Sequence, residues 1–324
     1  MSEPQNTPFA LATIVLAGRP TPIIRIGGRH FTLEQVLPEA FARTPARGLL
    51  NVFDNWPANE ELLVARAQGI AAHDTHAGLV TAKLTPDDFL APLLYPKQVV
   101  CMGANYYEHV RGDVGMTQFD RATAVPTVFI KTASKSLVGA GRSVRYPSES
   151  QKFDWEIELA MVIGKRGKRV NAHDALSLIA GFTVAIDLSA RDWQHHPRHP
   201  FKFDCFAGKA FDDSCPVGPW IVPARFVDHR NLGLRLWVNG DLKQNGNTKD
   251  MIWSIGEQLE AMSSHVTLEP GDIVLTGTPA GVGLKTNTFL KVGDRIAAEI
   301  DGLGRLEVEI APDQDLPLKA FAHA

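Results

Sequence analysis

The chain has 324 residues, 44% hydrophobic and 21% charged, with a formal net charge of -3. This is the balance of a globular protein with a sizeable core, long enough for one large domain or two of ordinary size. The slight acidity excludes the basic footprint of a nucleic-acid binder, and no polybasic run suits an anionic membrane. Cys101, Cys205 and Cys215 are widely spaced, which argues against a disulfide framework and suits a reducing cytosol. The N-terminus carries an acid and no basic residue before its apolar stretch, and the longest apolar runs fall short of a membrane span. The expectation is a cytoplasmic protein.

In chain order, two β-rich runs come first, FALATIVLAG and TPIIRIGGRHF, parted by Arg19 and Pro20. A helix is predicted from Thr32, a capping residue, with Glu34 in its first turn. A second helix is predicted over Asn59–Gln68. The stretch from His73 to Gln98 reads as a linker and a strand leading onward, and places a boundary near residue 90. Residues 1–90 form a small N-terminal α/β domain in this reading, and 91–324 the main domain.

Beyond Val99, short apolar runs alternate with Gly and Pro: PTVFIK, ELAMVIG, IAGFTVAIDLS, LRLWVNG, DIVLTGTP, DRIAAEID and LEVEI. Each has strand length and composition. Pro270-Gly271-Asp272 and Val292-Gly293-Asp294 are turn signals, and Asp301–Gly304 reads as a hairpin loop. One amphipathic helix is predicted from Thr248 to Met262, with Met251, Ile252, Ile255 and Leu259 on one face. The fold class is α+β, mainly β. Strands and helices do not alternate as in a doubly wound sheet.

Three carboxylates stand out. Side chains alternate faces along a strand, so Glu156 and Glu158 point the same way while Ile157 and Leu159 point the other way. The pair fits a solvent-facing strand edge or a cation site. Asp187 lies in the apolar run FTVAIDLSARD, where a charge is costly unless paired or metal-bound. It fits a strand-end cap paired with Arg191, or a third ligand. Three carboxylates without His or Cys make a hard oxygen site that favours Mg²⁺ or Mn²⁺ over Zn²⁺. The run His195-His196-Pro197-Arg198-His199-Pro200 holds three histidines. Its prolines break regular geometry and no ligand follows at metal spacing, so it reads as a loop.

These residues carry a resemblance. DWEIELAMVIGKRGKRV, AGFTVAIDLSARDWQ, GKAFDDSCPVGPWIV and LTGTPAGVG, in that order and spacing, resemble the fumarylacetoacetate hydrolase family over roughly residues 97 to 311. The resemblance implies a mixed β-sandwich roll, a divalent metal held by Glu156, Glu158 and Asp187, and a homodimer. The block Asn105-Tyr106-Tyr107-Glu108-His109 resembles the family's Asn-Tyr-x-x-His lid segment, whose His pairs with a Glu three residues on and activates water. Here that position is Gly112, and Asp113 follows, at a spacing that brings it beside His109 on a helix. Tyr107, Lys131, Arg191, Gln194 and Thr278 match positions at the substrate, and Lys209 matches a catalytic one. Lys131 and Lys209 also fit snorkelling surface lysines, and Arg191 a buttress for Asp187.

The activity so implied is cleavage of a C–C bond in a 2,4-dioxo acid to a 2-oxo acid and a carboxylic acid. His109, oriented by Asp113, takes a proton from water, and Lys209 stabilises the negative charge left on the 2-oxo acid fragment. Decarboxylation, isomerisation and hydration share that charge distribution and form the alternative, which the Gly112 departure favours. A metal-binding subunit without turnover is the third reading.

Overall fold

The computed structural model describes residue 4 and residues 8–42, 47–73 and 78–313. Its main element is a ten-stranded mixed sheet. From edge to edge it reads Arg29–Thr32, Arg19–Ile26, Phe9–Leu16, Cys215–Pro223, Ile179–Ile186, Ile157–Ile163, Ile273–Leu275, Val99–Gly103 and Thr127–Lys131, with Leu137–Val138 pairing onto Cys215–Pro223. A five-stranded sheet is ordered Asp241–Asn247, Gly233–Val238, Arg295–Ile300, Gly304–Ala311 and Ser143–Arg145.

Alternation along the central strand accounts for the layers. Every residue of Ile157–Ile163 is buried. Ile157, Leu159, Met161 and Ile163 share one apolar cluster with Leu234, Leu236, Ile296 and Leu306 of the five-stranded sheet. Ala160 and Val162 point the other way, into a second cluster with Leu33, Val52, Trp56 and Leu63. A strand covered on both faces has to be apolar along its length. Truncating a residue such as Leu159 to Ala would cost about 2–5 kcal/mol through lost burial and the cavity left. Glu156 and Glu158 therefore fall at the start of this strand on the Ala160 face, where the apolar cover ends. The α+β, mainly β class and the mixed sandwich fit this architecture.

The sheet crosses the boundary expected near residue 90, because Phe9–Leu16 pairs with Cys215–Pro223 at Leu11 and Ile221. The helix expected over Asn59–Gln68 is contained in Trp56–Ala72. Part of the expected linker, residues 74–77, lies outside the described residues, as do most of the first seven residues and the end of the chain from 314. The Asp301–Gly304 hairpin forms as expected between Arg295–Ile300 and Gly304–Ala311.

Two local expectations are corrected. The helix predicted from Thr248 instead begins at Ile255 and runs to His265, after a separate 3₁₀ turn at Thr248–Asp250. Ser254 and Glu257 form a capping box that starts a new helix there. Thr32 stands before the helix Leu33–Val36, but its side chain makes no capping hydrogen bond and the helix is one turn long.

Candidate active site and metal centre

Glu156, Glu158 and Asp187 are all buried, and each offers an oxygen within 4.8 Å of the others'. The first two share a face by strand alternation. Asp187 arrives from the end of the neighbouring strand Ile179–Ile186, whose Ile186 is paired with Ile157. Exposures of 5%, 1% and 0% remove the solvent-facing reading of the two glutamates. Among the described residues no other group of three His, Cys, Asp or Glu side chains converges in this way.

Buried cations surround the cluster. Lys209 Nζ donates to Glu156 Oε2 at 2.7 Å and to Asp187 Oδ2 at 2.6 Å. Arg191 donates from Nε to Asp154 Oδ2 at 2.8 Å and from its other arm to Glu156 Oε1 at 2.5 Å. Lys131 Nζ lies 2.7 Å from Asp187 Oδ1. It also donates to the carbonyls of Leu188, at 3.2 Å, and Lys209. Two of the three Lys131 donors thus go to carbonyls, and its side chain is wholly buried behind Asp187. Arg191 pairs with Glu156 and Asp154, and no hydrogen bond joins it to Asp187.

With every group ionised, four buried carboxylates (Asp154, Glu156, Glu158 and Asp187) face three buried cations (Lys131, Arg191 and Lys209), one negative charge more than the cations balance. That excess falls at Glu158, whose Oε2 accepts from the Gly277 N–H at 2.6 Å. Burial, with the Asp187 and Glu156 charges added, pushes the Glu158 carboxyl well above the usual range. Glu156 is held below it: burial opposes its charge, but Lys209, Arg191 and His109 outweigh burial. Lys209 is likewise raised, because Asp187 and Glu156 more than offset its desolvation. Asp187 Oδ1, though beside Lys131, accepts no aligned hydrogen bond. Hard oxygen donors, a surplus negative charge and an unfilled lone pair fit a divalent cation.

One loop holds the cluster in place. The strand Ile273–Leu275 pairs with the central strand only from Ala160 to Val162. Past that point the loop after it continues the contact by other means. Thr276 donates from N and Oγ1 to the Leu159 carbonyl, at 3.1 and 2.8 Å. Gly277 N–H goes to Glu158, and Thr278 Oγ1 donates to the Ile157 carbonyl at 2.8 Å. The N–H groups of Gly283 and Leu284 close on Asp154 at 2.7 and 3.1 Å. Gly277 has φ +91, and a Cβ there would stand 2.6 Å from Asn105 Cβ. Only glycine allows the loop this backbone and this closeness.

The segment from Asn105 to Asp113 joins the same loop. Asn105, wholly buried, donates to the Thr276 carbonyl at 2.7 Å and accepts from Trp253 N–H at 2.7 Å. His109–Asp113 forms a π-helical turn, a distortion frequent at functional sites. His109 Nδ1 lies 3.0 Å from Asp113 Oδ2, which also accepts from Gly281 N–H at 3.0 Å. With Nδ1 engaged, Nε2 is the ring nitrogen left for proton exchange.

The remaining expected residues are placed as follows. Gln194 is buried on the short helix Arg191–Gln194 beside Gly208. Thr278 is buried, with its hydroxyl proton given to Ile157. Tyr107 is exposed, with its ring under Arg111 at 4.9 Å and against Phe119 at 6.1 Å. The His195–His199 run lies in a loop, where His199 pairs with Asp204 at 3.4 Å and His195 packs on Phe203. All three thiols are free, and burial raises that of Cys215 to about 12. Asp154 and Gln244 were not singled out from sequence, and Asn105 only as the first residue of the Asn-Tyr-x-x-His block. Asp154 opens the Asp154–Ala160 run and offered the one signal, a carboxylate in phase with the two glutamates.

Residues 98–311 match the family model for the C-terminal domain of fumarylacetoacetate hydrolase. The chain is 44% identical over 220 residues to an oxaloacetate tautomerase of Xenopus laevis named as mitochondrial, covering 67% of this chain and 66% of that protein. It is 40% identical over 264 residues to a mitochondrial oxaloacetate tautomerase of Rattus norvegicus, covering 79% and 80%. The alignment with the frog protein thus spans about two thirds of that relative's length. Among solved structures it resembles fumarylacetoacetate hydrolase of Exiguobacterium antarcticum, with TM-score 0.74, 29% identity and coverage of 94% and 100%. It also resembles fumarylpyruvate hydrolase of Pseudomonas aeruginosa in complex with Mn²⁺ and pyruvate, with TM-score 0.60, 33% identity and coverage of 72% and 99%. Fold, matched segment and sequence likeness agree: the chain belongs to the fumarylacetoacetate hydrolase family.

Proposed function

We propose that this chain is a divalent-cation-dependent enzyme that moves a proton on a short 2-oxo acid, interconverting keto and enol forms of an oxaloacetate-type dicarboxylate. The observation that carries the reading is the convergence of Lys209 and the His109–Asp113 pair on a buried carboxylate cluster with one negative charge to spare. A divalent cation turns that surplus into one positive charge, which the carboxylate beside a 2-oxo group neutralises. The relatives named oxaloacetate tautomerase support the substrate class.

Glu156, Glu158 and Asp187 would hold Mg²⁺ or Mn²⁺, which would supply Lewis acidity toward a bound 2-oxo acid. His109 Nε2 takes the proton from the carbon next to the 2-oxo group, and Asp113 balances the imidazolium. The C–H electron pair becomes the C=C bond as the C=O pair moves onto oxygen. Lys209, with one N–H beyond those given to Glu156 and Asp187, donates to that oxygen. Transfer of the His109 proton to the oxygen completes the enol, and the reverse order gives the ketone. Arg191 keeps Glu156 ionised, and Gln194, on the same short helix, is the flanking residue proposed to contact the substrate.

Hydrolysis of a 2,4-dioxo acid is the second reading, supported by the likeness to fumarylpyruvate hydrolase. It needs the same His109 base, aimed at water. Decarboxylation and hydration draw on the same groups. We also propose a homodimer: Ile130, on the sheet-edge strand Thr127–Lys131, and Val125 just before it are 61% and 82% exposed, as suits a covered edge. The free thiols fit a reducing compartment, cytosol and mitochondrial matrix alike. The test is to follow enol absorbance of oxaloacetate, and in parallel the decay of an acylpyruvate, with purified protein and Mg²⁺ or Mn²⁺. Faster ketonisation with a stable acylpyruvate supports the first reading; acylpyruvate cleavage supports the second. Acceleration of neither overturns both.

A further inference from the structure

We infer that Gln244, from the five-stranded sheet, is a positioning residue that sets the spacing of Glu156 and Glu158, an inference that rests on the metal-site reading above. The residue between the two glutamates is Ile157. Its N–H donates to Gln244 Oε1 at 2.9 Å, and its carbonyl accepts from Thr278 Oγ1 at 2.8 Å. Gln244 Nε2 in turn donates to Thr278 Oγ1 at 2.8 Å and to the Pro279 carbonyl at 2.8 Å. Ile157, Gln244 and Thr278 thus close a hydrogen-bonded ring, and the carboxamide of Gln244 has both N–H groups and its oxygen engaged.

The ring exists because the main-chain ladder runs out. The strand Ile273–Leu275 reaches only Ala160 on that side of the central strand. The Ile157 N–H and carbonyl would otherwise be buried without partners, at a cost of about 1–3 kcal/mol each. Gln244 is wholly buried and Thr278 is 3% exposed, so water does not compete for these bonds. Strand geometry ties the directions of side chains 156 and 158 to the backbone of 157. A shift at Ile157 therefore moves both carboxylates at once. Groups that orient ligands in this way change metal affinity about 10- to 100-fold when removed. The ring also explains why the Thr278 hydroxyl is committed to the backbone.

The experiment titrates Mn²⁺ into chelator-stripped full-length protein by calorimetry, with melting temperature measured alongside. Gln244→Leu and Thr278→Val are each expected to weaken Mn²⁺ binding about 10- to 100-fold. Thr278→Ser, which keeps the hydroxyl, binds as wild type does. The double variant loses no more than the worse single, as members of one ring do. If Gln244→Leu fails to fold, Thr278→Val, which exchanges one hydroxyl for a methyl, decides. Wild-type affinity in these variants, with only a lower melting temperature, overturns the inference and leaves the metal reading standing. Failure of the wild type itself to bind Mn²⁺ overturns the metal reading and this inference with it.

Discussion

Asp113 Oδ2 lies 3.0 Å from His109 Nδ1 and is held there by the Gly281 N–H, also at 3.0 Å. The proposed base, His109, is thereby tied to the loop that holds the carboxylates of the proposed metal site. Gly112, at the position where the family pattern has Glu, leaves the pairing to Asp113, which the π-helical turn brings into reach.

Replacing His109 with Ala is expected to lower kcat by ~10²–10⁴ with KM little changed, the usual contribution of a positioned proton carrier. Asp113→Asn keeps the shape, removes the balancing charge and gives a smaller loss of kcat. Steady-state kinetics on oxaloacetate checks both, and an unchanged kcat in His109→Ala removes it from the mechanism.

Lys131 acts through Asp187. Lys131→Met removes one of the two buried cations beside Asp187 and leaves Lys209 as the other, a loss of about 1–3 kcal/mol. Chemical denaturation of the metal-free protein measures it. Saturating Mn²⁺, bound by the native state alone, restores part of the loss. A change under about 1 kcal/mol would show that Lys131 is dispensable to Asp187.

Gly277→Ala places a methyl at φ +91 against Asn105. The strain costs about 1–3 kcal/mol and separates the loop N–H from Glu158. Both melting temperature and Mn²⁺ affinity are expected to fall; a fully active, stable variant would contradict the close-approach argument.

Glu39 is held down to about 2, first by hydrogen bonds from Arg66, which donates to both carboxylate oxygens at 2.6 and 2.8 Å. The folded value is below the ordinary 4.5, so the pair's contribution is present above 4.5 and fades as pH falls toward 2. The pair is exposed, so the effect is small and salt-sensitive. Glu39→Gln should unfold slightly earlier than wild type at neutral pH, with the gap closing in acid. An equal gap across that range would contradict the assignment.

That Glu156 and Glu158 share a face was legible from strand period, and their grouping with Asp187 from the family resemblance. Their burial was not: what seals them is the meeting of the lid with the loop at 276–284, which involves pairs such as Asp113 and Gly281, 168 residues apart. Gln244 was invisible for a related reason. It lies in Asp241–Asn247, a largely polar strand in which no apolar alternation marks the buried position. The Ser254–Glu257 capping box was present in the sequence and outranked the apolar spacing from Met251, so the helix start was readable there from capping and misread from periodicity.

Glu156, Glu158 and Asp187 are proposed to hold a divalent cation required for turnover of a 2-oxo acid. The most direct measurement is oxaloacetate ketonisation by chelator-stripped protein as Mg²⁺ or Mn²⁺ is titrated back, for wild type and Glu158→Gln. Activity is expected to be lost on stripping and to return in the wild type as cation is added, but not in Glu158→Gln. Full activity in the stripped protein, or in Glu158→Gln, would contradict it.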